Sequence, residues 1–179
     1  MKTNIPFDLQ PSLENELLRL RPLVEEDFEN LYDVASDPLI WEQHPAKDRS
    51  HREGFKVFFN EAMDSKGAFV VIDKKTNAVI GSSRFAPVKN SNNAIEIGWT
   101  FLARQYWGGY YNSSMKLLMM DYAFNYVENI LFFINENNHR SQKAVEKMGG
   151  ERIKELDDQL LDTRTLSTVI YKISKSRHS

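Results

Sequence analysis

One stretch of the sequence decides the fold, and it reads Glu96-Ile97-Gly98-Trp99-Thr100-Phe101-Leu102-Ala103-Arg104-Gln105-Tyr106-Trp107-Gly108-Gly109-Tyr110-Tyr111-Asn112. Its first part has the two-residue period of a strand, in which successive side chains face opposite sides of a sheet. The side chains predicted to face a core are Ile95, Ile97, Trp99 and Phe101, and those predicted to face the other way are Ala94, Glu96, Gly98 and Thr100.

The second part of the stretch places two glycines, Gly108 and Gly109, between this strand and a long helical pattern. A glycine loop lets the backbone approach a ligand closely, and the first N–H groups of a helix have no partners within the helix. A strand, a glycine pair and a helix in this order can therefore bind a pyrophosphate. A tight turn followed by a helix cap has the same sequence, so this stretch alone leaves both interpretations open.

Hydrophobic periodicity predicts the elements on either side. The predicted strands cover residues 17–21, 68–73, 78–85, 94–101, 130–134, 151–156 and 166–173. The predicted helices cover residues 28–35, 50–64, 112–127 and 140–148. A capping box of Ser50 and Glu53 begins the second helix, and Asp37-Pro38 ends the first. This order of elements indicates an α+β or α/β fold with a mixed sheet.

Composition and charge exclude several classes of protein. The 179 residues suit a single domain, here 1–179, and hydrophobic residues make up 41% of them, which is enough for a sizeable core. The chain has no cysteine, and its four histidines lack the spacing of a metal site, so we expect no metal. A formal net charge of −2 argues against nucleic acid as a partner. No apolar run reaches the roughly 18 residues of a membrane span, so we expect a cytoplasmic protein with no membrane partner.

Several motifs occur together in the order typical of one family. They are Leu18-Arg19-Leu20-Arg21-Pro22, Glu96-Ile97-Gly98-Trp99, Tyr106-Trp107-Gly108, Asp121-Tyr122-Ala123-Phe124, Asn138-His139-Arg140-Ser141 and Glu146-Lys147-Met148-Gly149. On these motifs the chain resembles the GNAT superfamily of acyl-CoA-dependent N-acetyltransferases. Within it, the chain is most similar to the RimJ/RimL-like branch of ribosomal-protein alanine and serine acetyltransferases. The resemblance covers roughly residues 17–173.

The resemblance implies a mixed, mostly antiparallel sheet that is flanked by helices and splayed between its fourth and fifth strands, here those of residues 96–101 and 130–134. It implies that acetyl-CoA lies in this splay as the co-substrate. The pantetheine would pair with the backbone of Phe101 and Ala103. The residues expected to hold the pyrophosphate are Gln105, Gly108, Gly109, Tyr110, Tyr111 and Asn112.

The loop departs from the family's pattern, which reads Gln or Arg, two residues, Gly, one residue, Gly or Ala. Gln105 and Gly108 match this pattern, but Tyr110 stands where a small residue is usual. The bulky side chain would alter the geometry of the loop or its affinity for the cofactor, unless Gly109 bends the chain one position earlier.

Two residues after the second splayed strand are further candidates for cofactor binding. Asn138 matches the family's asparagine that bonds to the pantetheine arm, although a polar cap after a strand has the same residue type. Lys143 is near enough in sequence to reach the phosphates, as are Arg104 and Arg140, although surface solvation also explains such cations.

Acetyl transfer to an amine needs a base for the ammonium and a site for the oxyanion. Glu96 is the candidate base, because it lies opposite the predicted core face and next to Gly98, where the missing side chain leaves room for a ligand. A strand carboxylate also commonly faces solvent or a lysine, so the structural interpretation stays open. The backbone N–H of Phe101 or Leu102 is the candidate to polarise the thioester carbonyl.

The reaction also needs a proton for the departing thiolate. Many members of the family have a tyrosine seven residues after the asparagine matched by Asn138, but this chain has Val145 there. The resemblance makes Ser141 the candidate in its place, while a first-turn residue of the helix remains the alternative.

The function predicted from these residues is transfer of an acetyl group from acetyl-CoA to a primary amine, by direct attack in a ternary complex. The amine belongs to a protein N-terminus or to a small molecule, and the sequence does not choose between them. The alternative is a non-catalytic acyl-CoA-binding or regulatory module of the same fold, which Tyr110 and Val145 keep open. A homodimer is a further expectation, since dimers are frequent among similar proteins.

Overall fold

The computed structural model describes residues 6–153 and 167–178. In these residues eight strands form one sheet, in the order β1-β2-β3-β4-β5-β6-β8-β7. The strands are β1 (Leu13–Glu14), β2 (Leu18–Pro22), β3 (Ala68–Asp73), β4 (Val79–Pro87), β5 (Ala94–Leu102), β6 (Asn129–Asn135), β7 (Glu151–Ile153) and β8 (Thr168–Ser174). Each neighbouring pair is antiparallel except β5 and β6, which run parallel. The predicted mixed, mostly antiparallel sheet is confirmed, although the predicted strand residues 154–156 and 166 lie outside the described residues.

In the same described residues, four α-helices accompany the sheet: α1 (Phe28–Ala35), α2 (Arg52–Ser65), α3 (Tyr111–Ala123) and α4 (His139–Lys147). α1 follows a short 3₁₀ turn of three acidic residues, Glu25–Asp27, whose charges complement the positive end of the helix. Asp37 accepts the N–H of Leu39 and starts a new 3₁₀ turn, so the predicted end of α1 is confirmed. Within the described residues, none of the helices is both long and apolar enough to cross a membrane.

The sheet separates two buried apolar clusters, which we call the first core and the second core. The first core includes Leu18, Phe69, Phe85, Ile97, Met115, Met119 and Ile130. The second core includes Leu31, Trp41, Phe55, Phe58, Phe59, Val70 and Phe101. α3 contributes to the first core, and α1 and α2 to the second. Because both faces of the sheet are covered, its central strands are buried on both sides.

The predicted alternation of β5 is correct in its first half and wrong in its second. Ile95 and Ile97 lie in the first core, as one face of a strand should. Phe101 lies in the second core instead, and Trp99 packs against the same cluster. The side chains after Ile97 have therefore changed faces.

A β-bulge causes this change of face. Ser82 pairs with Phe101 and Arg84 pairs with Gly98, so Trp99 and Thr100 together oppose the single residue between them on β4. An extra residue on one strand shifts every following side chain to the other face. The sequence pattern contains no signal for the extra residue, because Trp99 and Thr100 are both ordinary strand residues.

Two predicted helix ends are also wrong. α3 ends at Ala123 rather than at residue 127, because the side-chain amide of Asn125 donates to the carbonyls of Asp121 and Tyr122 at 2.9 Å and 3.1 Å. These bonds satisfy backbone groups that a longer helix would have used. Ser50 does not cap α2, since its hydroxyl donates to the carbonyl of Lys47 and the helix begins at Arg52.

Candidate active site

A gap opens between β5 and β6 in the middle of the sheet. In the described chain the two strands pair through three residues of each, the last pair being Glu96 with Leu131. β5 nevertheless continues to Leu102 and β6 to Asn135, while each keeps its pairing with the strand on its outer side. The backbone of the second half of β5 therefore faces an open space, and the predicted splay is present at the predicted strands.

The bulge lies on the edge of this gap, and it contains a strained residue. Trp99 has a φ of 52°, in the left-handed region that a tryptophan rarely occupies. That conformation costs roughly 1–2 kcal/mol. Such strain persists where the surrounding structure enforces it, and it is concentrated at functional sites. The residue that a bulge adds is left outside the ladder, so the bulge also interrupts the regular pairing of β5 with β4 beside the gap.

Glu96 is the last residue of β5 to pair with β6, and it is only 3% exposed. Its carboxylate lies over Gly98, because a Cβ on that glycine would be 3.2 Å from the Glu96 Oε1 atom. The absence of a side chain at Gly98 therefore makes room for the carboxylate itself. Glu96 and Gly98 are therefore neighbours on one face of β5, as predicted, and the carboxylate is buried rather than exposed on the surface.

Arg84 is a buried cation beside this carboxylate, and the sequence reasoning did not single it out. It pairs with Gly98 across the strands, is 5% exposed, and stacks its guanidinium 4.4 Å from the ring centre of Trp99. Its Nε and Nη2 atoms are buried without a hydrogen-bond partner. Burial lowers the pKa of Arg84 to about 10, while the charges of Glu61 and Glu96 oppose that effect. This side of β5 therefore carries both signs of charge in a largely apolar wall.

The glycine loop lies between β5 and α3. Gly108 has a φ of 71°, which glycine adopts without strain. A Cβ at Gly108 or Gly109 would have nothing within 4 Å, so the loop backbone is open to a ligand. Tyr110 precedes the first residue of α3, and 84% of its side chain is exposed. At that exposure the tyrosine side chain is in solvent and is not packed against the rest of the protein.

Some of the other predicted loop residues are exposed, and others make contacts that hold the loop in place. Gln105 is exposed, and Asn112 is half-buried in the first turn of α3. The hydroxyl of Tyr111 donates to the carboxylate of Asp73 at 3.0 Å, which fixes the start of α3 to the end of β3. Arg104, a further candidate for the phosphates, pairs with Asp37 and lowers the pKa of that carboxyl. The loop is thus held in place from both of its sides.

The backbone of Leu102, rather than that of Phe101 or Ala103, faces the gap. Ala103 donates its N–H to the carbonyl of Ile80 on β4 at 2.8 Å. Backbone groups of successive residues point to alternate sides of a strand, so Phe101 also faces β4 and Leu102 faces away from it. An extended ligand in the gap would therefore pair with the backbone of Leu102, and not with that of Phe101 and Ala103 as predicted. The indole N–H of Trp107 already donates to the Leu102 carbonyl at 2.9 Å.

α4 begins beside the same gap, directly after β6. The side-chain oxygen of Asn138 accepts the N–H of Ser141 at 3.2 Å, so Asn138 caps the helix and Ser141 lies in its first turn. Asn138 is therefore a helix cap and Ser141 is a first-turn residue, as the two structural interpretations predict. The amide nitrogen of Asn138 takes no part in the cap. Lys143 is exposed on the same helix, and Val145 is 4% exposed in the first core, where it offers no hydroxyl.

Lys116 is the second buried cation of the region, and sequence reasoning also missed it. It projects from α3 with 5% exposure, and its ammonium donates to the hydroxyl of Thr100 on β5. Thr100 shares a second hydrogen bond of 2.9 Å with the hydroxyl of Ser83. Burial lowers the pKa of Lys116 to about 7. A lysine inside a helix pattern normally predicts a solvated face, so only the fold reveals this position.

The structure thus brings Glu96, Gly98, Leu102 and the glycine loop to one gap, with Asn138 and Ser141 at its other strand. Within the described part of the chain, no three His, Cys, Asp or Glu side chains are close enough to hold a metal ion. The architecture is that of a protein that can hold an extended, phosphate-bearing ligand between two parted strands.

Residues 18–151 match the family model described as the acetyltransferase (GNAT) domain. This match covers most of the chain, and the protein therefore belongs to the GNAT acetyltransferase family. A Bacillus licheniformis protein called uncharacterized N-acetyltransferase p20 is 30% identical over 118 residues. The matched part is 63% of this chain and 66% of that protein, so the chain spans just under two thirds of the relative's length.

Solved structures of the same family have the same fold. A GCN5-related N-acetyltransferase from Brucella melitensis matches 93% of this chain and 80% of its own, with a TM-score of 0.78 at 20% identity. A GNAT-family acetyltransferase from Bacillus anthracis matches 93% and 99%, with a TM-score of 0.74 at 21% identity. The ribosomal-protein-S5-alanine acetyltransferase from Vibrio fischeri matches 95% and 100%, with a TM-score of 0.66 at 17% identity. At these identities the likeness is one of fold.

Proposed function

We propose that this protein transfers an acetyl group from acetyl-CoA to a primary amine, in one step within a ternary complex. The observation that carries the proposal is the gap between β5 and β6, which begins at Glu96 and continues to the segment that leads into the glycine loop. A gap bounded by a buried carboxylate at one end and by open loop backbone at the other suits a long thioester with a pyrophosphate.

The residues present fit acetyl-CoA, which would supply an activated acetyl thioester. An extended pantetheine can pair with the Leu102 backbone as an added strand pairs with a sheet edge. The open backbone at Gly108 and Gly109 and the first N–H groups of α3 would hold the pyrophosphate, with Gln105, Tyr111 and Asn112 around them. The amide nitrogen of Asn138 is free of the helix cap to reach the pantetheine arm, and Lys143 would meet the outer phosphates.

The chemistry of the acceptor side rests on Glu96. An amine with a pKa of about 8–10 must lose a proton before it attacks, and the enclosed carboxylate of Glu96 would take it directly or through a water. A backbone N–H on the side of β5 that faces the gap would polarise the thioester carbonyl. Of the two predicted candidates this favours Leu102, because the backbone of Phe101 faces β4. Ser141 remains the predicted hydroxyl near the thiolate.

The acceptor would enter on the side of the sheet that carries Arg84 and Trp99 and faces the second core. We retain the proposal that the chain is similar to the RimJ/RimL-like branch, which the fold of the Vibrio fischeri enzyme supports. A peptide with an N-terminal alanine, a peptide with an N-terminal serine and a set of small amines are therefore the acceptors to compare.

The direct test is a thiol-release assay with acetyl-CoA and this acceptor panel. Glu96→Gln keeps the shape of the side chain but removes the base, so kcat should fall on the order of a hundredfold and the loss of rate toward acidic pH should disappear. Glu53→Gln, on the exposed surface of α2, is the matched control and should leave both unchanged. An unchanged pH profile in Glu96→Gln would show that another group is the base.

The same assay separates the enzyme from a binding module. The buried Val145 favours the module in one respect, because it supplies no acid where many relatives have one. Binding of acetyl-CoA by calorimetry without thiol release on any acceptor would establish the module. Release that depends on an acceptor would establish the enzyme.

A further inference from the structure

Lys116 places a positive charge next to both strands of the gap. Its ammonium donates to the Thr100 hydroxyl on β5, and it lies 5.7 Å from the ring centre of Phe132 on β6. Thr100 and Phe132 both belong to the parts of these strands that no longer pair with each other, since the last pair is Glu96 with Leu131. The charge is therefore at the opening of the gap, on the side where α3 packs.

Among the residues that the structure describes, the charge has polar neighbours but no counter-ion. The hydroxyls of Thr100 and Ser83 are neutral acceptors, and the ring of Phe132 offers only its π face. Among the described residues, no charged side chain of α3, β4, β5 or β6 contributes to the pKa of Lys116, which burial alone lowers to about 7. Burying an ammonium without an anion is costly, and the cost is recovered when an anion arrives.

The proposed acetyl transfer would produce an anion at this place. In the proposed function the acetyl group lies in the gap, so the sulfur that leaves it must lie there as well. Sulfur carries the negative charge once the bond to the acetyl carbon breaks, and a group that gives it a proton at that moment lowers the barrier. Ser141 offers a neutral hydroxyl for this, whereas an ammonium offers both a positive charge and a proton.

We propose that Lys116 is a catalytic residue that donates a proton to the sulfur of CoA as the thioester breaks. The inference rests on the proposed acetyl transfer. The amine nitrogen forms a bond to the acetyl carbon, the electron pair of the C–S bond stays on sulfur, and the Lys116 ammonium protonates that sulfur to give free CoA and a neutral lysine. The acceptor ammonium loses one proton to Glu96 before it attacks, and Glu96 passes this proton to solvent. The nitrogen loses its second proton to Glu96 after the C–N bond forms. Solvent then returns one proton to Lys116 and takes the second from Glu96, so each cycle releases one proton to solvent.

The experiment that tests this titrates the thiol of CoA bound to the protein, through the ultraviolet absorbance of the thiolate. An ammonium beside the sulfur lowers the pKa of the bound thiol, by roughly one to three pH units relative to the thiol of free CoA. In Lys116→Met the bound thiol should titrate at or above the value of free CoA. Lys56→Met, on the exposed surface of α2, is the control and should behave as the wild type does.

Two further variants separate chemistry from structure. Thr100→Val keeps the cation but removes its acceptor, so the pKa of the bound thiol should rise part of the way toward that of free CoA. Ser141→Ala removes a neutral hydroxyl, so the pKa of the bound thiol should rise less than it does in Lys116→Met. Likewise kcat should fall on the order of a hundredfold in Lys116→Met but less in Ser141→Ala. Thermal unfolding of each variant shows whether it is folded.

The possible failures are distinguishable. If the wild type binds no CoA, the proposed function fails and the role of Lys116 fails with it. If CoA binds and acetyl transfer occurs, but the bound thiol titrates alike in the wild type and in Lys116→Met, the role of Lys116 is wrong and the proposed function stands. A larger loss of kcat in Ser141→Ala than in Lys116→Met would also overturn it.

Discussion

Two residues on opposite faces of β5 give the strand a different chemistry on each side of the gap. Glu96 lies on the side that carries Arg84, and Thr100 lies on the other side in contact with Lys116. The bulge between them makes this possible, because without the extra residue Glu96 and Thr100 would share a face. The proposed base for the amine and the proposed acid for the thiolate thus lie on opposite sides of one strand.

Lys116 also predicts how the stability of the protein depends on pH. Burial lowers its pKa from 10.5 to about 7 in the folded protein, while the unfolded chain keeps the ordinary value. Between these values the unfolded state binds more protons, so the free energy of unfolding contributed by this residue rises with pH. Below about pH 7 the full cost of the buried charge is present.

Replacing the lysine should remove that dependence. We expect Lys116→Met to be more stable than the wild type near about pH 6, on the order of 1–3 kcal/mol, with the difference shrinking toward about pH 10. Urea unfolding of both proteins across this range measures it. A stability difference that stays constant with pH would mean that burial does not lower the pKa of Lys116.

The residues that sequence reasoning missed are missed for a physical reason. The proximity of Glu96 to Gly98 could be predicted, because residues two apart lie next to each other on one face of any strand. Lys116 and Arg84 were not, because their burial depends on α3 and β4 packing over neighbouring strands, which no local pattern encodes. Trp99 was placed on the wrong face because its left-handed φ is imposed by tertiary structure.

The glycine loop depends on a backbone conformation that glycine adopts more easily than other residues. Gly108 needs a left-handed φ, whereas Gly109 has room for a Cβ and no such requirement. Gly108→Ala should therefore cost roughly 1 kcal/mol of strain in the ligand-binding conformation and raise KM for acetyl-CoA about fivefold or more. Gly109→Ala should raise it less. Equal effects, measured by steady-state kinetics, would show that backbone conformation at Gly108 is not what binds the cofactor.

The start of α4 offers a way to separate a helix cap from a ligand contact. Asn138→Ala removes the cap and should lower the free energy of unfolding by about 1 kcal/mol, as well as weaken acetyl-CoA binding. Asn138→Ser restores a cap but not an amide, so it should recover the stability and not the affinity. Chemical unfolding and calorimetric titration of both variants measure the two effects. Recovery of both in Asn138→Ser would limit Asn138 to capping.

Elements themselves were largely predictable, and their ends were not. The order of strands and helices follows from periodicity and turn residues, and α1, β3 and α4 fall close to their predicted bounds. The end of α3 depends on one asparagine side chain, and the start of α2 on a serine that bonds backward rather than forward. Short polar side chains compete for backbone groups in ways that a pattern of apolar residues does not reveal.

At the scale of the whole molecule, the gap exists because each of its strands is held from outside. β5 is anchored by β4 and by both cores, and β6 pairs along its full length with β8. Arg104, just after β5, pairs with Asp37 on the second-core side, and the Arg140 guanidinium at the start of α4 stacks 3.9 Å from the ring centre of Trp107. The first contact anchors the β5 side, and the second joins the start of α4, after β6, to the segment that follows β5. The expected homodimer stays a prediction.

The splay itself was expected from a family resemblance and not from the strand pattern, since nothing in the residues of β5 or β6 prevents them from pairing. Its function can be measured directly by calorimetric titration of the purified wild-type protein with acetyl-CoA. We predict saturable binding of one molecule per chain, weakened in Gly108→Ala. No heat of binding at about millimolar acetyl-CoA, a concentration at which even weak sites fill, would contradict the central claim that the parted strands hold this thioester.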